Sequence, residues 1–203
     1  MAYKRIDTME HNRYTIAVCE TLKKTFSFTA YLKKGDTGGK ICHFEYDNKE
    51  YGYEQIKHEL DAIDTQQTLR RKNGIPTTDE FVSVLRYIMS KDNVSEKKLD
   101  MLKFHAQAPN RIATAEELAK SVGYDDFNPA NHVYGNLAKE ICIFLNYKPA
   151  NPKYYYKDGT QVWTFVIADN ADDNPETKND DIKNWRWVLR EEVYEAMKIC
   201  ALI

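Results

Sequence analysis

Residues 114–123 read Thr-Ala-Glu-Glu-Leu-Ala-Lys-Ser-Val-Gly, and the pair Asn128-Pro129 follows shortly after them. Thr114 and Glu117 have the spacing of a capping box, in which each side chain binds the other residue's backbone N–H at the start of a helix. Gly123 suits the left-handed turn that ends a helix, and an asparagine followed by proline predicts that a second helix begins. This stretch therefore predicts a helix-turn-helix.

The second helix is predicted to run from Ala130 to about Leu145. Its apolar residues Val133, Leu137 and Ile141 recur every four positions, which indicates a buried side. Polar side chains occupy the remaining positions near the helix N-terminus, and asparagine can form two hydrogen bonds with adenine in the major groove. The residues of this helix that we expect to contact DNA are Asn128, Asn131, His132, Tyr134, Asn136 and Lys139.

A β-hairpin is predicted directly after this helix. Residues 153–157 read Lys-Tyr-Tyr-Tyr-Lys, the turn-forming pair Asp158-Gly159 follows, and residues 160–167 are predicted to form the return strand. A hairpin in this position is typical of the wing in a winged-helix domain. Lys153, Tyr155 and Lys157 would then lie near DNA phosphates.

The first 74 residues predict a small α+β region. Residues 9–24 are interpreted as a helix, and residues 25–33 and 40–46 as the strands of a β-hairpin, because apolar residues alternate along the first of them. Residues 53–72 predict a helix that ends at Asn73-Gly74. We place a domain boundary here, between residues 1–74 and residues 75–203.

The part from residue 75 onward contains further predicted helices. A second capping box at Thr77–Glu80 opens a helix through Met89, and Ser95–Gln107 predicts another, with Leu99, Leu102 and Phe104 turned inward. Residues 169–181 are rich in aspartate and asparagine, and we interpret them as an exposed loop. A strand at 185–189 and a C-terminal helix complete an α+β fold with a winged helix-turn-helix-like domain.

Composition restricts the function classes. The net charge is −2 over 203 residues, and the net charges of residues 1–74, 75–150 and 151–203 are +2, −1 and −3. Such values argue against strong non-specific binding to nucleic acid, which depends on neutralised phosphates, but leave a local basic face open. The scattered cysteines form no CxxC pair, and no apolar run is long enough to span a membrane. We expect a soluble cytoplasmic protein without membrane contact.

No catalytic or metal-binding pattern is present in the sequence. The five histidines have no metal-ligand spacing, and residues 35–40 are one residue short of a phosphate-binding loop. An acidic site on the first hairpin around Asp36 or Glu45 is the weakest of the interpretations, because the usual carboxylate-x-lysine step is missing. We therefore expect a non-enzymatic protein with no cofactor and no metal.

About half of the chain, from Pro109 onward, resembles a region found in prokaryotic restriction-type endonucleases of the HNH class and their relatives. The residues that carry the resemblance are Ala108-Pro109-Asn110, Ile112, Thr114-Ala115, Leu118-Ala119, Gly123-Tyr124, Ala130-Asn131, Tyr134-Gly135 and Leu137-Ala138. The resemblance implies target recognition rather than cleavage, since the paired histidines of an HNH metal site are absent.

Two function hypotheses follow. The first is a DNA-binding protein that recognises a target on double-stranded DNA, linked to restriction or defence in bacteria or phage. The alternative is a protein-interaction module or phage-borne inhibitor, which would use the acidic, tyrosine-rich C-terminal part to contact a protein partner.

Overall fold

The structure is a computed structural model that describes residues 4–32, 40–91, 95–147, 159–171 and 185–203. It has two compact units, residues 1–72 and residues 73–203. The predicted boundary after Gly74 falls next to this division. Both units mix helices with antiparallel strands, as expected for the α+β class.

The N-terminal unit is a four-stranded antiparallel sheet followed by one long helix. The strands are β1 (Lys4–His11), β2 (Tyr14–Glu20), β3 (Phe26–Leu32) and β4 (Lys40–Tyr46), in the spatial order β1-β2-β3-β4, and the helix is α1 (Lys49–Leu69). The predicted hairpin of residues 25–33 and 40–46 is confirmed as β3 and β4. The α1 helix begins four residues before the predicted start and is capped by Asn48, whose side chain accepts the backbone N–H of Tyr51.

The prediction of a helix over residues 9–24 is wrong. These residues form the end of β1, all of β2 and the turn beyond it. Tyr14, Ile16 and Val18 are all buried, with the two-residue period of a strand, whereas the prediction rested on the helical spacing of Ile16, Cys19 and Leu22. Asn12 has a φ of 50° and makes the tight turn between the two strands.

The core of this unit lies between one face of the sheet and α1. Phe28 and Ala30 of β3 are fully buried, and Ile56 and Leu60 of α1 are buried with them. Gly52 belongs to the first turns of α1, and its backbone lies directly against the Phe28 ring. The missing side chain at Gly52 therefore sets how closely the helix approaches the sheet.

The C-terminal unit contains five helices and a small antiparallel sheet within its described residues. The helices are α2 (Thr78–Met89), α3 (Glu96–Gln107), α4 (Ala115–Ser121), α5 (Phe127–Phe144) and α6 (Glu191–Ile199). The strands are β5 (Ile112–Thr114), β6 (Ala168–Asn170) and β7 (Arg186–Leu189), and β7 lies between β5 and β6. Two short 3₁₀ turns, Pro109–Arg111 and Trp163–Val166, precede β5 and β6.

Both predicted capping boxes are confirmed. The Thr77 side chain accepts the backbone N–H of Glu80 at the start of α2, and the Thr114 side chain accepts that of Glu117 at the start of α4. In each box the glutamate carboxylate accepts the backbone N–H of the threonine, so two N–H groups are satisfied at each helix start.

Two predictions about this unit are wrong. Phe104 is exposed, and α3 instead buries Met101, Leu102, His105 and Ala106. The predicted return strand over residues 160–167 is a 3₁₀ turn at Trp163–Val166, because Phe165, Val166, Ile167 and Ala168 are buried in succession, which a strand with one covered face cannot do. The other predicted strand of that hairpin, and most of the acidic stretch 169–181, lie outside the described residues.

None of the helices among the described residues is long and apolar enough to cross a membrane.

Candidate nucleic-acid interface

The α5 helix is held in place by the rest of the C-terminal unit along one side. Leu137, Ile141 and Leu145 are buried, as predicted, and Val133 is half-buried. Ala119 of α4 is also buried, which permits the close approach of α4 and α5 expected in a helix-turn-helix. Gly123 has a φ of 74° in the connection between the two helices, in agreement with its predicted role as a turn residue.

The helix begins at Phe127, three residues before the predicted start at Ala130. Asp126 rather than Asn128 is the capping residue, because its side chain accepts the backbone N–H of Asn128 at 2.9 Å. Asn128 lies in the first turn, is exposed, and donates its side-chain amide to the Asp126 carboxylate. The side-chain amide of Asn128 is therefore already engaged by Asp126, which weakens the prediction that Asn128 contacts a duplex.

The outward side of α5 carries most of the other predicted contact residues. Asn131 is half-buried, whereas His132, Asn136 and Lys139 are exposed. The side chains of Asn131, His132 and Asn136 form no hydrogen bond with the part of the chain that the structure describes, so their polar groups are available to a ligand. The Lys139 ammonium lies 5.5 Å from the centre of the Trp163 ring. We call these four residues, together with Gly135 between them, the α5 stripe.

The prediction that Tyr134 contacts DNA is wrong. Its side chain is 2% exposed, because Tyr134 precedes Leu137 by three residues and Ala138 by four and so shares their buried side. The Tyr134 hydroxyl lies 2.7 Å from Nδ1 of His105, and Nε2 of His105 lies 3.0 Å from the backbone oxygen of Trp187. Since the carbonyl must accept, Nε2 carries the hydrogen and Nδ1 accepts from the tyrosine.

This buried contact joins α3, α5 and β7. His105 is fully buried, and desolvation lowers its pKa from 6.5 to about 4. Burial also raises the pKa of Tyr134, so both side chains are neutral at pH 7. The His105–Tyr134 pair thus fixes the rotation of α5 about its axis and keeps the α5 stripe turned outward.

Electrostatics along the stripe differ from those at its two ends. No carboxylate occurs in α5 between Phe127 and Lys139. Glu140 comes next, and it is paired with Lys91 and with Lys98, the latter at 3.2 Å. Burial alone would raise the pKa of Glu140, but the hydrogen bonds from both lysines hold this pKa below its usual value. Asp125 and Asp126 place negative charge just before the helix.

Two features of this surface were not predicted from the sequence. Gly135 lies within α5, and a Cβ atom added there would have no neighbour within 4 Å among the described residues. Ile143 follows on the same side of the helix and is 68% exposed. The outward orientation of both residues follows from the 100° rotation per residue of an α-helix, once its buried side is known. The predicted wing contacts Lys153, Tyr155 and Lys157 lie outside the described residues.

No group of three or more His, Cys, Asp or Glu side chains suited to a metal ion occurs among the residues that the structure describes. No protein-family model, curated protein or solved structure matches the chain. The resemblance to the region of HNH-class endonucleases therefore stays a prediction.

Proposed function

We propose that the C-terminal unit is a winged-helix-like DNA-binding domain whose α5 stripe recognises a target in the major groove. The observation that carries the proposal is the set of polar side chains on the outward side of α5, Asn131, His132 and Asn136, which form no hydrogen bond with any other described residue. Uncharged amides on a rigid helix face are suited to reading base edges, because they donate and accept at fixed positions.

The order of elements supports the same proposal. In winged-helix domains a strand precedes the two helices of the helix-turn-helix and two strands follow them, and the last strand lies in the centre of the sheet. The elements β5, α4, α5, β6 and β7 have this order, and the sheet order is β5-β7-β6. In this chain order the place of a wing falls between β6 and β7, after the predicted hairpin at residues 153–167, and most of that connection lies outside the described residues.

The charge of that connection bears on the mode of binding. Residues 171–185 contain five acidic residues and two lysines, so a wing here would repel phosphates. We therefore propose a duplex contact made chiefly by α5, with low affinity for random sequence and a shallow salt dependence. A role as the recognition component of a restriction or defence system is the biological setting we propose for such a protein.

The same acidic connection favours a second candidate function. A protein partner with a basic surface would bind residues 171–185 and the exposed Ile143 of α5, without a requirement for nucleic acid. The two functions separate in a binding experiment with duplex DNA, because only the first requires the amides of the α5 stripe.

Selection of bound sequences from a randomised duplex pool, followed by anisotropy titrations with the full chain, tests the proposal. We expect Asn131→Ala to reduce the preference for the selected sequence by about 1–3 kcal/mol, the usual loss for one bidentate base contact. Lys139→Gln should lower the slope of log affinity against log salt by about one. Gln66→Ala, an exposed amide on α1, is the matched control and should change neither quantity.

No sequence enrichment and no duplex binding at low salt would refute the DNA-binding proposal and leave the protein-partner function. Duplex binding that Asn131→Ala and Asn136→Ala leave unchanged would also refute it, because the α5 stripe would then not be the interface.

Gly135→Ala provides an independent prediction. We expect this substitution to stabilise the C-terminal unit by about 0.5–1 kcal/mol, because alanine favours a helix over glycine and the added methyl group has no described atom within 4 Å. The same methyl group projects from the α5 stripe toward the proposed duplex. It should weaken duplex binding by about tenfold, which is a loss of about 1.4 kcal/mol in binding free energy. Denaturant titrations and anisotropy measure the two effects on one sample.

Because the variant should be more stable than the original protein, weaker binding cannot be explained by unfolding. Unchanged or tighter binding of the selected duplex would contradict the close approach of DNA to this part of α5.

A further inference from the structure

A cleft of about 700 Å³ lies on the C-terminal unit between the turn after α3 and the α6 helix. This volume is in the range of small-molecule sites in proteins. Polar and apolar residues both line it. The polar ones are Gln107, Asn110, Arg111, Glu191, Tyr194 and Lys198, and the apolar ones are Ala106, Ala108 and Ile203. None of them belongs to the α5 stripe, so the proposed DNA contact does not explain the cleft.

The turn that forms one wall has an uncommon backbone conformation. Asn110 and Arg111 have φ values of 54° and 58°, and a left-handed arginine costs energy that a glycine would not. The conformation is held by a hydrogen bond from the Arg111 backbone N–H to the Ala108 carbonyl at 2.8 Å. It directs the Arg111 guanidinium over the Tyr194 ring, 4.9 Å from its centre.

Cationic and polar groups converge beside this ring. The Lys198 ammonium lies 5.3 Å from the centre of the Tyr194 ring on the same helix. The Arg111 guanidinium pairs with the Glu191 carboxylate through its buried Nη1 atom, and this contact lacks the alignment of a hydrogen bond. The Tyr194 hydroxyl and the Gln107 and Asn110 amides form no hydrogen bond within the described residues. The cleft therefore presents several donors that a ligand can satisfy.

The Glu191 carboxylate already pairs with the Arg111 guanidinium and would compete with a ligand for it. Its side chain is 60% exposed, so it can turn into water at little cost, whereas the Arg111 side chain is 28% exposed and remains in the cleft. Lys198 is likewise balanced by Glu195 at 3.0 Å. Because each cation is already paired, a ligand with a single negative charge can replace the Glu191 carboxylate without changing the net charge of the cleft. A phosphate dianion would need additional positive charge, which the cleft does not provide.

We propose that this cleft binds a small molecule that carries one carboxylate on an apolar, flat body. The carboxylate takes the place of Glu191 on the Arg111 guanidinium, whose planar fork matches two carboxylate oxygens. The body of the ligand lies along the Tyr194 ring and the small, half-buried Ala108 side chain. This site is separate from the α5 stripe, and its occupation requires no DNA.

Calorimetric and NMR titrations of the full chain with benzoate, benzamide and inorganic phosphate test this proposal. We expect benzoate to bind with a Kd on the order of 1 mM, as befits a ligand of this size, and benzamide and phosphate to bind at least tenfold more weakly. Arg111→Gln should abolish benzoate binding. Glu191→Gln should tighten it severalfold, because the internal competitor is removed.

Glu116→Gln is the matched control, since Glu116 forms an exposed ion pair with Lys120 on α4 away from the cleft, and it should leave the benzoate Kd unchanged. The proposal is overturned if benzoate does not bind, if benzamide or phosphate binds equally well, or if Glu191→Gln weakens binding. If Arg111→Gln does not fold, the Glu191→Gln variant still tests the proposal. Neither outcome depends on whether the protein binds a duplex.

Discussion

Lowering the pH from about 7.5 to about 5 is expected to remove about 2 kcal/mol from the unfolding free energy of the C-terminal unit. The cause is His105, which is fully buried and has a pKa of about 4 in the folded protein, against 6.5 when solvated. A lowered pKa means that the unfolded chain takes up the proton first. The stabilising contribution is complete above pH 6.5 and is lost as the pH falls toward 4.

Tryptophan fluorescence during denaturant unfolding reports on the C-terminal unit, because Trp163, Trp185 and Trp187 all lie after residue 73. Glu140, whose pKa is below its usual value, should add to acid destabilisation only at lower pH. His132→Gln, at an exposed histidine of α5, is the control and should leave the pH dependence as it was. An His105 NMR signal that titrates near pH 6.5 would contradict the expected burial of a neutral ring.

Gly52→Ala is expected to destabilise the N-terminal unit by about 3 kcal/mol, at the upper end for an overpacked core. A Cβ atom at this position would overlap the Phe28 ring, and its next neighbour is the Tyr46 ring at 3.0 Å. Phe28 cannot move aside, because it is fully buried and packs edge-on against Tyr46 and Tyr53 with centroid distances of 6.0 and 5.3 Å. Helix α1 would have to shift away from the sheet.

Hydrogen exchange of the β2 and β3 amides measures the effect in that unit, since faster exchange there reports a weaker sheet. Gly135→Ala is the paired control: the same substitution in a helix, at a site with open space, is expected to stabilise. Equal and small effects of the two substitutions would show that close packing of α1 on Phe28 is unimportant.

The parts of the fold that could be predicted from the sequence are those set by local interactions. A capping box needs only a threonine and a glutamate three residues apart, and both boxes form at Thr77 and Thr114. The α5 core residues and the β3–β4 hairpin likewise follow from the spacing of apolar residues along a few turns or one strand.

The errors arose where tertiary packing outweighs local preference. Residues 160–167 are rich in β-branched and aromatic side chains, yet they form a turn because they are covered by α5. Tyr134 has a polar hydroxyl and was predicted to face outward, but His105, distant in sequence, supplies its hydrogen-bond partner in the core. The cleft at Arg111 depends on the approach of α6, which no local pattern encodes.

The pairing of β5 with β7 joins Ile112 to Val188. During synthesis on the ribosome, the N-terminal unit, whose strands pair with their nearest neighbours in sequence, can fold as soon as α1 has emerged. The helices α3, α4 and α5 must wait for β7 to leave the exit tunnel before the central strand and the carbonyl partner of His105 are available. Over that interval β5 lacks the strand with which it pairs, so we expect the nascent C-terminal unit to be the segment that chaperones retain.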